Sequence, residues 1–344
     1  MSGDIDIRIE GRAGRITLNR PQALNAATYQ MCRAIDAALV AWASDDAVAL
    51  VMIDAVGARA FCSGGDIQEM YDTGTAGDFD YGRRFWADEY RMNARMFGFP
   101  KPVVTFLQGY TMGGGVGIGC HGSHRIVCES SKIAMPECGI GLVPDVGGTL
   151  LLARAPGRLG EYLGVTAARM GPGDAVHAGF ADYFVPEAGW NDLKTSLIAS
   201  GDWEAVDRAA QTPPDSAMAA RQNEIDSLFG GETLRDVMNM LVHRESDVAR
   251  EALGMIAKNS PLAMACALEL VHRARLRDDI VAALRNEYRF TFRAMEHGDF
   301  LEGIRAAIID KDRQPAWRHD GPMDVPAVAV ANMLRPLGAD EWTP

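Results

Sequence analysis

Two glycine clusters, Phe61–Cys–Ser–Gly–Gly–Asp–Ile67 and Gly109–Tyr–Thr–Met–Gly–Gly–Gly–Val–Gly–Ile–Gly119, constrain this chain more than any other feature. Each follows a short apolar run of strand character and precedes a helical pattern. Glycines there leave backbone N–H groups uncovered at the start of a helix, where no intrahelical partner exists. Such amides can bind an anion or stabilise a developing oxyanion. The plain alternative is a pair of tight turns that let helices pack closely.

The surrounding pattern alternates strand and helix. Residues 5–10 (IDIRIE) and 15–19 (RITLN) read as a hairpin around Gly11–Gly14. Met31, Ile35, Leu39 and Trp42 recur at helical spacing within 26–44. Buried-strand runs follow at 48–53 and 102–107, with further strand signals at 125–128, 132–135 and 180–186. Helices are expected through Met70 and over 83–97, the second ending before Pro100. Helical pattern dominates from Val146, and 211–216 (QTPPDS) is the clearest linker. The expectation is an α/β unit over 1–200 followed by a helical region over 201–344, with a Pro-punctuated tail from Pro315.

Charge narrows the partners. With 34 basic against 46 acidic residues the net charge is -12, which argues against nucleic acid, since phosphate neutralisation needs clustered Lys and Arg. An anionic small ligand needs only a local patch and stays open. No run approaches the roughly 20 apolar residues that span a bilayer. MSGDIDIRIEGR lacks the basic start and apolar run of a signal peptide. Cys32, Cys62, Cys120, Cys128, Cys138 and Cys266 show no CxxC spacing and read as buried thiols. The cytoplasm is the expected compartment.

Several chemistries can be weighed on the residues alone. Gly117–Ile–Gly119–Cys–His–Gly122 matches GxGxxG, with Glu137 twenty residues on. The match begins inside the expected helix, whereas a dinucleotide fingerprint needs its glycines at the strand-to-helix turn. No GxSxG elbow occurs. His121 and His124 could share a helix face but lack an acidic partner at metal spacing. Cys62 has no evident base nearby, which favours packing. More telling is the loop Ala134–Met–Pro–Glu137–Cys–Gly–Ile–Gly–Leu–Val–Pro–Asp145–Val–Gly–Gly148. It places two carboxylates eight residues apart in apolar surroundings, which raise a carboxyl pKa and suit it to acid, base or nucleophile duty. Alternatively, Asp145 caps a helix beginning at Val146, and Glu137 is a solvated strand-end residue.

Taken together, Asn19–Arg–Pro, Leu24–Asn–Ala26, FCSGGDI, GYTMGGGVG, MPECGIGLVPDVGG and Ala178–Gly–Phe–Ala–Asp182 resemble the crotonase (enoyl-CoA hydratase/isomerase) superfamily in order and spacing. Asn259–Ser–Pro261, Asn286–Glu–Tyr288 and the run from Asp299 to Arg313 resemble its hydrolase branch, which acts on 3-hydroxyisobutyryl-CoA. The resemblance implies an α/β fold, a crotonase-like spiral of β-β-α turns with a helical C-terminal region. It also implies an acyl-CoA thioester substrate and no metal or redox cofactor. Trimers and hexamers are common in the superfamily, so a homo-oligomer is one expectation. A long helical tail can instead cover the chain's own core.

Residue by residue, the resemblance places an oxyanion hole on the N–H groups of Gly65 and Gly114. Glu137 matches a shared catalytic glutamate, Asp145 the second carboxylate of the hydrolase branch, and Glu89 a substrate-contacting residue. Arg59 stands where a basic residue often meets CoA phosphate. For Glu89 a solvated helix face is the alternative. Hydratases typically carry a second glutamate where this chain has Gly117. Its loss favours hydrolysis of a short β-hydroxyacyl-CoA, such as 3-hydroxyisobutyryl-CoA of valine breakdown. Hydration or isomerisation of another acyl-CoA, and acyl-CoA binding without turnover, are the alternatives.

Overall fold

The computed structural model describes residues 3–344. Its strands follow a repeat. The hairpin β1 (Ile5–Glu10) and β2 (Ala13–Leu18) turns at Gly11–Arg12, more tightly than the sequence suggests, because Glu10 already pairs with Ala13. After α1 (Tyr29–Trp42), the chain lays down pairs of strands. These are β3 (Leu50–Ala55) with β4 (Ala60–Cys62), β5 (Val103–Phe106) with β6 (Tyr110–Met112), and β7 (His124–Val127) with β8 (Lys132–Ala134). The first strand of each pair joins a six-stranded sheet in the order β1-β2-β3-β5-β7-β9, closed by β9 (Tyr183–Phe184). The second joins a three-stranded sheet in the order β4-β6-β8. All pairings between the named strands after the hairpin are parallel. The helices between successive pairs are α2 (Gln68–Thr75) and α3 (Asp80–Phe97), then α4 (Gly114–Gly119). This is the β-β-α spiral expected from the resemblance.

Parallel strands buried on both faces explain the near-continuous apolar runs. Leu50, Met52, Val104, Phe106 and Ile126 pack with Trp190, Leu193 and Leu197 of the helix Trp190–Ser200. Helix α1 is amphipathic, burying Met31, Ile35, Leu39 and Trp42, and Thr28 caps it by accepting from the Met31 N–H at 3.2 Å.

Contacts divide the chain into two compact units that interleave along the sequence. The first comprises Met1–Asp66, Arg91–Ala134 and Arg169–Ala217, and holds both sheets. The second comprises Ile67–Tyr90, Met135–Ala168 and Met218–Pro344. In it, α5 (Gly148–Arg154) and the helix Leu159–Thr166 pack on α6 (Pro261–Leu276), which is followed by α7 (Ile280–His297). The Pro-punctuated tail folds back. It forms the helix Ala327–Leu334, Arg293 donates to the carbonyls of Met333 and Arg335, and the buried Trp342 indole donates to the Ala87 carbonyl at 2.9 Å.

All six cysteines are buried thiols, none of them in a disulfide. No helix among the described residues is long and apolar enough to cross a membrane.

Candidate active site

The glycine clusters meet within the first unit. Gly64 adopts φ +118°, a conformation open to glycine. Ala27 N–H donates to Gly64 C=O and Asp66 N–H to Ala27 C=O, both at 2.8 Å, in a parallel bridge centred on Gly65. Alternation along the strand turns the intervening Gly65 N–H the other way. Gly114 opens α4, so its N–H precedes the first intrahelical bond. A Cβ on Gly115 would stand 2.3 Å from the Cys62 carbonyl oxygen, and one on Gly64 would stand 3.5 Å from that of Met112. Glycine at 115 is therefore what allows α4 to press against the end of β4. The GxGxxG match does begin inside α4, at Gly117. Arg59 is exposed on the loop before β4. His121 and His124 do not share a helix. His121 lies beyond α4 against Phe97, and His124 begins β7, stacked on Tyr183.

The acidic residues gather in the second unit. Glu137 is 5% exposed and Asp145 4%, so neither is solvated. Oε2 of Glu137 is buried without a hydrogen-bond partner, a costly state for a carboxyl group and one that native folds keep where a ligand or chemistry requires it. Asp145 Oδ2 accepts from the Tyr90 hydroxyl at 2.8 Å. Glu89, on α3 beside Tyr90, is 3% exposed rather than solvated.

The helix that Asp145 would cap on the alternative reading begins later, at Gly148, and the Asp145 side chain does not cap it. Val146 and Gly147 are consecutive left-handed residues, at φ +53° and +79°. For a β-branched residue this is a true outlier, costing on the order of 1–3 kcal/mol. The carboxylate of Glu287, fully buried on α7, accepts from Gly147 N–H at 2.8 Å, from Thr149 N–H at 3.0 Å, and from the Thr149 hydroxyl.

Four buried carboxyl groups thus act on one another. Burial pushes Glu137 well above the ordinary carboxylate range, and Asp145 pushes it further, with smaller contributions from Glu287 and Glu89. Glu89 rises for the same reasons, burial first and Asp145 second. Burial raises Asp145 against the Tyr90 hydrogen bond, which favours its charged form. Glu287 is pushed up to about 8 by burial, against the opposing bonds from Thr149 and Gly147. Such a set titrates as a unit and holds protons near neutrality. One member can then act as base or nucleophile while another donates a proton.

The parts played by Tyr90, Glu287 and Asn93 were not read from sequence. For α3 a signal existed. Phe85, Trp86, Tyr90, Met92 and Met96 trace its buried stripe, and Glu89 and Asn93 fall on it as polar intruders. Asn93 is fully buried with neither amide atom hydrogen-bonded. Glu287 stands in the Asn286–Glu–Tyr288 motif, but its pairing has no local signal, because its partners lie about 140 residues away.

Residues 13–334 match the family model described as Enoyl-CoA hydratase/isomerase. The chain belongs to this family, the crotonase family. A crystal structure of an enoyl-CoA hydratase from Rhodobacter sphaeroides 2.4.1 is 55% identical, with TM-score 0.96 over 99% of this chain and 100% of that one. A carnitinyl-CoA dehydratase from Mycobacterium thermoresistibile is 40% identical, with TM-score 0.94 over 99% and 98%. A curated relative from Gallus gallus, named as a mitochondrial 3-hydroxyisobutyryl-CoA hydrolase, is 34% identical over 99% of this chain and 91% of its own length.

Proposed function

We propose that the protein hydrolyses a short β-hydroxyacyl-CoA thioester, with 3-hydroxyisobutyryl-CoA as the preferred substrate, giving 3-hydroxyisobutyrate and free CoA in valine breakdown. The observation that carries this reading is the buried pair formed by Glu137, with its unpartnered oxygen, and Asp145, held by Tyr90. Gly117 adds to it, since a glycine cannot supply the second carboxylate of a hydratase. The name of the Gallus gallus relative agrees.

In this reading the N–H groups of Gly65 and Gly114 polarise the thioester carbonyl, each such donor being worth roughly 10²–10³ in rate. Ionised Glu137 either attacks the carbonyl carbon itself or takes a proton from the attacking water. A C–O bond forms, the C–S bond breaks, and the departing thiolate gains a proton from the protonated member of the carboxyl set. On the direct-attack route a water then cleaves the Glu137 anhydride. Both routes consume one water per thioester. Glu89, which the resemblance sets against the substrate, supports an acyl group with a polar substituent. Arg59 is the cation proposed for CoA phosphate.

The names of the two solved relatives favour a second reading, hydration or its reverse. The two part on an unsaturated substrate. With crotonyl-CoA, loss of the conjugated thioester absorbance should stay at the rate of buffer alone. Rapid bleaching with CoA still esterified would establish the hydratase instead.

A further inference from the structure

Asp145 stands just ahead of a helix whose first amides need acceptors, and aspartate is among the best residues at supplying one. Left to local preference it would fold back onto those amides. It does not, because Glu287 occupies them from α7, bonding Gly147 N–H, Thr149 N–H and the Thr149 hydroxyl. The turn between Asp145 and α5 is the left-handed pair Val146–Gly147, a conformation that valine does not adopt unaided. Thr291, one turn beyond Glu287 on the same face of α7, places its hydroxyl 3.4 Å from that of Tyr90, which donates to Asp145. One face of α7 therefore bears on Asp145 twice, through the turn that follows it and through the phenol that holds it.

We propose that Glu287 is the positioning residue for Asp145. By taking over the cap of α5 it keeps the Asp145 carboxylate off its own helix and available to Tyr90 and to the reaction. This role rests on the hydrolase reading above and adds to it a residue of the helical C-terminal region.

A double-mutant cycle on CoA release tests it. Glu287→Gln preserves volume, but its amide nitrogen cannot accept from a backbone N–H, so one cap donor is orphaned and Asp145 is drawn to it. The expected loss in kcat is about 30-fold or more, within the range of a displaced acid–base group. In an Asp145→Asn background the same substitution should change kcat by less than about threefold, since residues acting through one group are non-additive. Thr149→Val, which removes a single donor to Glu287, should show the same dependence on Asp145 at a smaller loss, and it carries the test if Glu287→Gln does not fold. A loss that persists in the Asp145→Asn background, or a wild-type rate in folded Glu287→Gln, overturns the positioning role while the hydrolase reading stands. A near-normal Asp145→Asn overturns the assignment of Asp145 itself, and with it this role.

Discussion

Glu137→Gln is expected to lower kcat for CoA release by about 10³-fold or more, with KM changed by only a few fold. The amide is isosteric with the acid but can neither attack a thioester carbonyl nor accept a proton from water. Substrate binding, assigned in the proposal to the CoA moiety and the backbone amides, is left in place, so the loss falls on kcat. The variant's melting temperature should match or exceed the wild type. The carboxyl it replaces is buried with an unpartnered oxygen and a strongly raised pKa, both marks of a group that costs stability. Thermal melting beside steady-state kinetics checks both halves. A folded variant that turns over at a near-normal rate would remove Glu137 from the mechanism.

Asp145→Asn should cost about 10²-fold in kcat and also move the pH profile. Burial is the main reason that the Glu137 pKa is high, and the Asp145 charge is the next. Removing that charge leaves burial in place but lowers the Glu137 pKa. Glu137 then ionises at a lower pH, and the acidic limb of kcat/KM shifts downward. The Tyr90 hydroxyl keeps an acceptor in the asparagine carbonyl oxygen, so the variant should fold. A profile measured from pH 5 to 9 reads the shift directly, and an upward or absent shift would separate the two carboxyl groups.

Both expectations rest on burial that the sequence conveyed unevenly. The first strand of each pair and the glycine loops were legible because their signals are local, whereas the three-residue β4 and β6 abut the glycine clusters and were not read. Apolar runs mark buried parallel strands, and Gly64 and Gly115 stand where φ or close approach excludes a side chain. Glu137 was legible as a carboxylate in apolar company. Asp145 was ambiguous because local pattern favoured a cap, and a distant residue overruled it. The left-handed Val146 moves the start of α5 to Gly148, and Glu287 supplies the acceptor that proximity would have drawn from Asp145. A pairing across about 140 residues leaves no periodicity to read. The burial of Glu89 lay between these cases, visible in the stripe of α3 only once that helix is known to be covered.

The fate of the C–S bond separates a thioester hydrolase from a hydratase or isomerase. Purified protein is incubated with 3-hydroxyisobutyryl-CoA and the free thiol is followed with a thiol reagent. A hydrolase releases CoA catalytically in a one-to-one ratio with 3-hydroxyisobutyrate, and Glu137→Gln should lose this release. Substrate that keeps its thioester under these conditions, with no thiol released above the buffer rate, would contradict the hydrolase reading.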